Sequence, residues 1–289
     1  MEKLQYRIRG HESFILRDGW LSKGINAVME NPKVFQENSG ADAIGVGTNM
    51  AKAIRYWLRA ARLITENNTH GAKLTDIGKI LANKDPFFED IFSLWIVHSE
   101  IASNFELATS WSVFFNNTTV TAFDREDLVN VMTHTLSDII PDKIPERSIK
   151  DDCSAIISMY APAKENDDPE EKKTSPFSEL GLIRIKNGMY EKSRPAIDAI
   201  SPYLVLYIMA DTINSDSSIP IDTIAEGRNM PGKLLNLNRV SINDYLDYLQ
   251  GKKYITINRT CGLDTVYAEK KIDKADILKS YYKGACIDL

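Results

Sequence analysis

Ala41-Asp-Ala-Ile44-Gly45-Val46-Gly47-Thr48-Asn49-Met-Ala51-Lys52-Ala-Ile54-Arg55-Tyr56-Trp57-Leu58-Arg59-Ala-Ala61-Arg62-Leu-Ile64 is the stretch that decides how this chain is read. It has the form of a helix-turn-helix. Ile44 and Val46 are apolar around Gly45, as a sharp turn requires, and Thr48 is the expected cap of the second helix. Ser39 and Gly40 weaken the first helix, which should be short. At helical spacing Ala51, Ile54, Leu58 and Ala61 fall on one face with Trp57 beside them. Lys52, Arg55, Arg59 and Arg62 fall on the other, at steps of three and four. Four cations with no acid among them repel one another unless something negative lies alongside. A phosphate backbone is the obvious candidate. The pattern implies contact with double-stranded DNA through Thr48, Asn49, Lys52, Arg55, Tyr56, Arg59 and Arg62, and is silent on what is done to the DNA.

The polar run Thr65-Glu-Asn-Asn-Thr-His70-Gly71 sits between apolar stretches and suits a hairpin, the wing of a winged helix. Lys73 lies on that wing, where a backbone contact is useful, and Thr75 should cap the helix that closes the unit. Before the helix-turn-helix, Gly19 and Gly24 bracket Trp20, Leu21 and Lys23. They suggest a folded-back approach into a helix through Ile25–Glu30.

The charge of −5 over 289 residues looks wrong for a nucleic-acid binder, but it is unevenly spread. Residues 45–84 carry +5, whereas residues 85–180 carry −12. With screening over ~8 Å at physiological salt, a local basic patch attracts phosphate despite an acidic remainder. The acidic middle reads as a solvated helical surface or a face for a basic partner. No apolar run reaches the ~20 residues of a membrane span, and the N-terminus lacks a signal peptide's apolar core. Cys153, Cys261 and Cys286 are scattered and odd in number, which points to reduced thiols in a cytoplasm and away from structural zinc.

The expected fold is mainly α with short β-hairpins. A winged helix-turn-helix spans 1–84, a helical middle domain 85–163, a linker or exposed loop 164–176, and a C-terminal winged-helix-like domain 177–289. In the middle domain Asp124 should cap a helix to about Leu136, and Ser148 one to Met159. His98 and His134 read as core or half-buried histidines, since neither has ligand-spaced neighbours. In the last domain, a buried helix over Tyr203–Ile213, a short one over Ile221–Glu226 and one capped by Ser241 precede a hairpin turning at Arg259–Gly262. Asp244 and Asp247 on the third helix oppose phosphate, which favours packing or protein contact there.

Two long motifs carry a family resemblance: His11-Glu12-x-Phe14-x-Leu16-Arg17-x-Gly19-Trp20-Leu21-x-Lys23-Gly24, and Gly45-Val46-Gly47-x-Asn49-Met50 leading to Ile54-Arg55-Tyr56-Trp57. Shorter ones follow at Leu74-Thr75-x-x-Gly78, Asp85-Pro86, Leu94-Trp95, Pro231-Gly232 and Tyr281-Tyr282. The chain resembles the bacterial family catalogued as domain of unknown function 4007, over nearly its whole length. Members of that family resemble the second component of Ssp-type DNA phosphorothioation systems, which replace a backbone oxygen by sulfur in anti-phage defence. The resemblance implies DNA binding and leaves open whether the chain also nicks DNA. It also implies three partners: a cysteine desulfurase, an adenylating reductase-like enzyme and an ATPase. It transfers no catalytic residue.

A nickase usually activates water with carboxylate-held Mg²⁺ or Mn²⁺. Asp85 and Glu89, four apart, could share such an ion. Alternatively, Asp85 caps the following helix. His11 beside Glu12, with Arg17 close by, forms a second candidate: a general base and a phosphate grip. The competing role is a pair between Arg17 and Glu12 that positions Trp20 against the helix-turn-helix. Gly45-x-Gly47-Thr48 lacks the lysine of a phosphate loop. A non-catalytic winged-helix transcriptional regulator or adaptor is the alternative to the DNA-processing reading.

Overall fold

Gly19 turns the chain into α1 (Trp20–Glu30), which buries Trp20, Leu21, Ile25 and Val28 and begins five residues before the expected start at Ile25. In the computed structural model, which describes residues 4–162, 174–260 and 263–284, two short 3₁₀ turns follow, at Val34–Gln36 and Asn38–Gly40. They lead to α2 (Ala41–Ile44), a single turn of helix as the weak start implied, and to α3 (Thr48–Ala60). The Gly45 and Val46 N–H groups both donate to the Ala41 carbonyl, which closes α2 and reverses the chain.

α3 buries the face read from its spacing: Ala51, Ile54, Trp57 and Leu58 are each at most 1% exposed. Two details differ from the expectation. Gly47, not Thr48, occupies the capping position, so Thr48 is the first helical residue and caps nothing. The helix also ends at Ala60, and Arg62 follows it in the left-handed region at φ 51°.

β1 (Ile64–Asn67) and β2 (Gly71–Leu74) form an antiparallel hairpin in which Glu66 faces Ala72 and Thr65 faces Lys73. Gly71, at φ 77°, presses on the loop after α1: a Cβ there would lie 2.1 Å from the Pro32 carbonyl oxygen. The adjacent Ala72 N–H donates to that same oxygen. α4 (Asp76–Lys84) is capped as expected by the Thr75 hydroxyl, which accepts from the Gly78 N–H.

A helical layer completes this unit. α5 (Ile91–Ser103) and α6 (Thr109–Asn116) are apolar nearly all round and fill the core with Trp95, Trp111, Phe114 and Phe115. β3 (Ala122–Phe123) precedes α7 (Arg125–Ile139), where Asp124 and Asp127 form a capping box. α8 (Glu146–Tyr160) starts two residues before the expected Ser148, after Pro145. His98 is fully buried, its Nδ1 2.8 Å from the Tyr160 hydroxyl, as a core histidine should be. His134 instead lies exposed beside Asp138.

Of the expected linker 164–176, residues 164–173 lie outside the described residues. The rest starts a 3₁₀ turn, Pro176–Leu180, that buries Phe177 and Leu180. β4 (Ile183–Lys186) and β5 (Met189–Lys192) then pair with β3 in the order β3-β5-β4. The first compact unit therefore runs through Ser193, past the expected end of the middle domain. Residues 177–193 belong to it because β5 pairs with β3 and β4 pairs with β5.

The second unit, Arg194–Leu289, is built from α9 (Pro202–Asp216), β6 (Ser218–Pro220), α10 (Ile221–Glu226), α11 (Pro231–Leu234), α12 (Arg239–Gly251), β7 (Ile255–Thr260), β8 (Leu263–Ala268) and α13 (Lys274–Gly284). Its sheet has the order β6-β8-β7. α12 begins at Arg239 with Asn238 as its cap, so Ser241 supplies the capped N–H and not the cap. The hairpin forms where its alternation implied, with Cys261 and Gly262 outside the described residues. On this unit Arg259 pairs with Asp247, and Arg239 with Asp222 and Asp264, so these exposed cations are matched by acids.

Candidate nucleic-acid interface

The polar face of α3 opens onto a cleft of about 200 Å³ lined by Arg7, Gly10, Glu12, Ser39, Lys52, Arg55, Tyr56 and Arg59. Four cations and one acid meet there. Lys52, Arg55 and Arg59 come from α3 at helical spacing, as read. Arg7 comes from the N-terminal segment, which crosses the helix closely because Gly10 has no side chain; a Cβ there would stand 2.3 Å from the Tyr56 ring. The Arg7 guanidinium lies 5.6 Å from the centre of the same ring. Nothing in the sequence spacing signals Arg7, which joins the cleft only through the fold.

The basic row is not unopposed. Glu66 of β1 takes Arg55 Nε at 2.9 and 3.1 Å and Arg59 Nε at 3.3 Å. One carboxylate thus faces two guanidinium groups, and the surplus charge stays positive. Arg62 leaves the row altogether. Its Nη1 reaches Glu100 Oε2 at 2.5 Å, the Glu100 carbonyl and the Ser103 hydroxyl, tying the end of α3 to α5. Glu100 is 4% exposed, so Arg62 serves as the partner of a buried charge.

Tyr56 lines the cleft with its ring but is buried, and its hydroxyl pKa is driven well up, first by desolvation and then by the Asp152 charge. Thr48 and Asn49 stand exposed in the first turn of α3. Lys73 is exposed on β2 opposite Thr65. Alternation along the strand puts that pair on the hairpin face away from Glu66, so Lys73 does not join the arginine cluster.

The N-terminal candidates sit differently from a catalytic group. His11 is 1% exposed, and its Nε2 lies 2.9 Å from Asp152 Oδ1 on α8. Its ring stacks on Trp57 and meets Trp111 edge-on. Glu12 is exposed, at φ 51°. Arg17 places its guanidinium 5.3 Å from the Trp20 ring and 5.7 Å from the Phe14 ring. Arg17 braces Trp20, by cation–π contact and without Glu12. His11, Glu12 and Arg17 therefore do not converge on one reacting point.

Asp85 is a buried turn carboxylate. It accepts from the Glu89 and Asp90 N–H groups, both at 3.0 Å, and from the Ser93 hydroxyl at 2.5 Å, while Asp90 caps α5. Glu89 is exposed. With its oxygens taken and its neighbour turned outward, this pair does not fit a divalent cation. Among the described residues no group of three or more His, Cys, Asp or Glu side chains comes together as a metal site. Nor is any helix among them long and apolar enough to cross a membrane.

Residues 8–282 match a family described as protein of unknown function, DUF4007. The chain belongs to the DUF4007 family. Its fold is similar to two crystal structures of SspB. One, with bound magnesium ion, has a TM-score of 0.86 at 25% identity; the other has a TM-score of 0.85 at 26% identity. Each likeness covers 97% of this chain and 89% of the solved one. A search of curated proteins finds no match.

Proposed function

We propose that this DUF4007 chain is the component of an Ssp-type DNA phosphorothioation system that grips duplex DNA by its backbone. In this reading α3 and the β1–β2 hairpin serve as a winged helix-turn-helix. The likeness to SspB supports the system, and one observation carries the grip: Arg7, Lys52, Arg55 and Arg59 share a cleft with a single exposed acid, Glu12. A cysteine desulfurase, an adenylating reductase-like enzyme and an ATPase are the partners this reading assigns, and anti-phage defence is its purpose. The exposed acids between Asp124 and Glu146, among them Glu126, Asp138 and Asp142, offer such proteins a surface outside the residues of the basic cleft.

The grip is tested by binding of a fluorescent duplex at 50–200 mM salt. Lys52→Glu with Arg59→Glu should weaken binding to any sequence and flatten the salt slope by about one unit per lost phosphate contact. Unchanged binding by the folded double variant would remove α3 from the interface. Incubation of supercoiled plasmid with the purified chain, with and without Mg²⁺ or Mn²⁺, decides whether the nicking left open by the family resemblance belongs to this chain. Protection of a two-fold symmetric site would favour the regulator instead.

A further inference from the structure

We infer that Glu66 is a positioning residue: it holds Arg55 and Arg59 ready for a backbone phosphate. This rests on the DNA-binding reading of the same face. An acid on a phosphate-binding surface ordinarily weakens binding, and the geometry around Glu66 points the other way.

Arg55 donates its Nε–H to Glu66, and Arg59 ion-pairs with the same carboxylate through Nε at 3.3 Å. Among the described residues neither guanidinium bonds through its Nη atoms, which leaves the outer edge of each fork for a ligand. The carboxylate stands behind the arginines. It lines a depression of about 250 Å³ with Phe35, Gln36, Asn67 and Asn68, whereas the cleft holding Arg7, Lys52 and Tyr56 is not lined by Glu66. Arg55 and Arg59 line both and so form the wall between them. Glu66 is 11% exposed, while Arg55 and Arg59 are 41% and 35% exposed, so the acid is shielded and the cations are not.

The anchor is also stiff. β1 is paired with β2 in fixed register, the Ala72 N–H is bonded to the Pro32 carbonyl oxygen at 2.7 Å, and Gln36 Nε2 donates to the Asn68 carbonyl. A long arginine side chain loses rotamer freedom when it meets a phosphate, and a bond already made to a rigid strand removes much of that loss in advance.

The sign of one substitution separates positioning from simple charge. Removal of a negative charge alone predicts tighter binding for Glu66→Ala and Glu66→Gln alike. Positioning predicts that Glu66→Ala binds a 20-base-pair duplex about three- to tenfold more weakly than wild type at 150 mM salt, with a shallower salt slope. Glu66→Gln keeps a carbonyl oxygen for Nε–H and should bind at least as tightly as wild type. A second readout needs no variant: the Arg55 Nε–Hε nuclear magnetic resonance signal should stay protected from solvent exchange both free and with DNA. Equal tightening in both variants, or loss of that protection when DNA binds, would overturn the inference and leave the DNA-binding reading intact. Absence of salt-dependent binding by the wild-type chain would overturn the reading of the face itself, and this inference with it.

Discussion

His11 Nε2 lies 2.9 Å from Asp152 Oδ1, with both side chains 1% exposed. Asp152 also accepts from the Arg9 N–H and from the Ser110 hydroxyl, so α8 and α6 hold the N-terminal segment at one buried carboxylate. That segment supplies Arg7 and Gly10 to the basic cleft. The histidine that a catalytic reading would place at a phosphate instead secures the wall of the cleft.

Breaking this contact should therefore unfold rather than inactivate. Asp152→Asn and His11→Ala each leave buried polar groups without partners, at a cost of about 3–5 kcal/mol if the pair is charged and ~1–3 kcal/mol if it is neutral. Urea melts should show the loss in the first unit, and DNA affinity per folded molecule should fall with it. A His11→Ala protein with wild-type stability and abolished plasmid nicking would restore His11 to chemistry.

Trp57 is fully buried, stacks on His11, and donates its Nε1–H to the Phe14 carbonyl. Trp57→Ala should cost roughly 3–5 kcal/mol. An acrylamide quench should leave its emission nearly untouched until the first unit unfolds. Free quenching in the native state would mean that the wrong face of α3 has been assigned to the core.

Alkaline pH should weaken the first unit in two stages. Burial, with the Asp152 charge second, pushes the Cys153 thiol up to about 12, and burial drives the Tyr56 and Tyr160 hydroxyls well up. These folded-state values lie above the unfolded ones, so the native state favours the protonated forms. Their contribution is complete below about pH 9 and is lost as pH rises, at ~1.4 kcal/mol per unit for each group in its window. Urea midpoints should hold level from pH 7 to 8.5 and fall above 9, and in Cys153→Ala the fall should begin nearer 10. A level wild-type midpoint up to pH 11 would contradict this.

What the sequence made legible was local. The apolar face of α3, the Thr75 cap, the Asp124 cap and the α10 span all follow from residues within one or two turns of each other, where spacing is geometry. The site was half legible. Lys52, Arg55 and Arg59 could be placed by period, but Arg7 and Glu66 enter from other elements, and Asp152 lies 141 residues from His11. A burial decided at that range leaves no periodic trace, so a polar motif such as His11-Glu12 reads alike as catalyst or brace. A pairing at long range puts residues 177–193 in the first unit: β5 finds its partner in β3 across the acidic segment.

Arg62 gives the sharpest contrast between two cations that the sequence alone could not tell apart. By spacing it continues the Arg55 and Arg59 row, yet α3 stops at Ala60, and Arg62 turns to the buried Glu100. Arg62→Ala removes the cation and its hydrogen bond from that carboxylate, so stability should drop by about 1–3 kcal/mol. The salt slope of DNA binding, set by phosphates neutralised, should stay at the wild-type value. Arg59→Ala should do the reverse, flattening the slope by about one unit with a small change in melting, because its pair with Glu66 is partly exposed and Arg55 remains to hold the acid. Measured side by side, a flattened slope in Arg62→Ala at wild-type stability would return Arg62 to the DNA face and extend the basic surface past the end of α3.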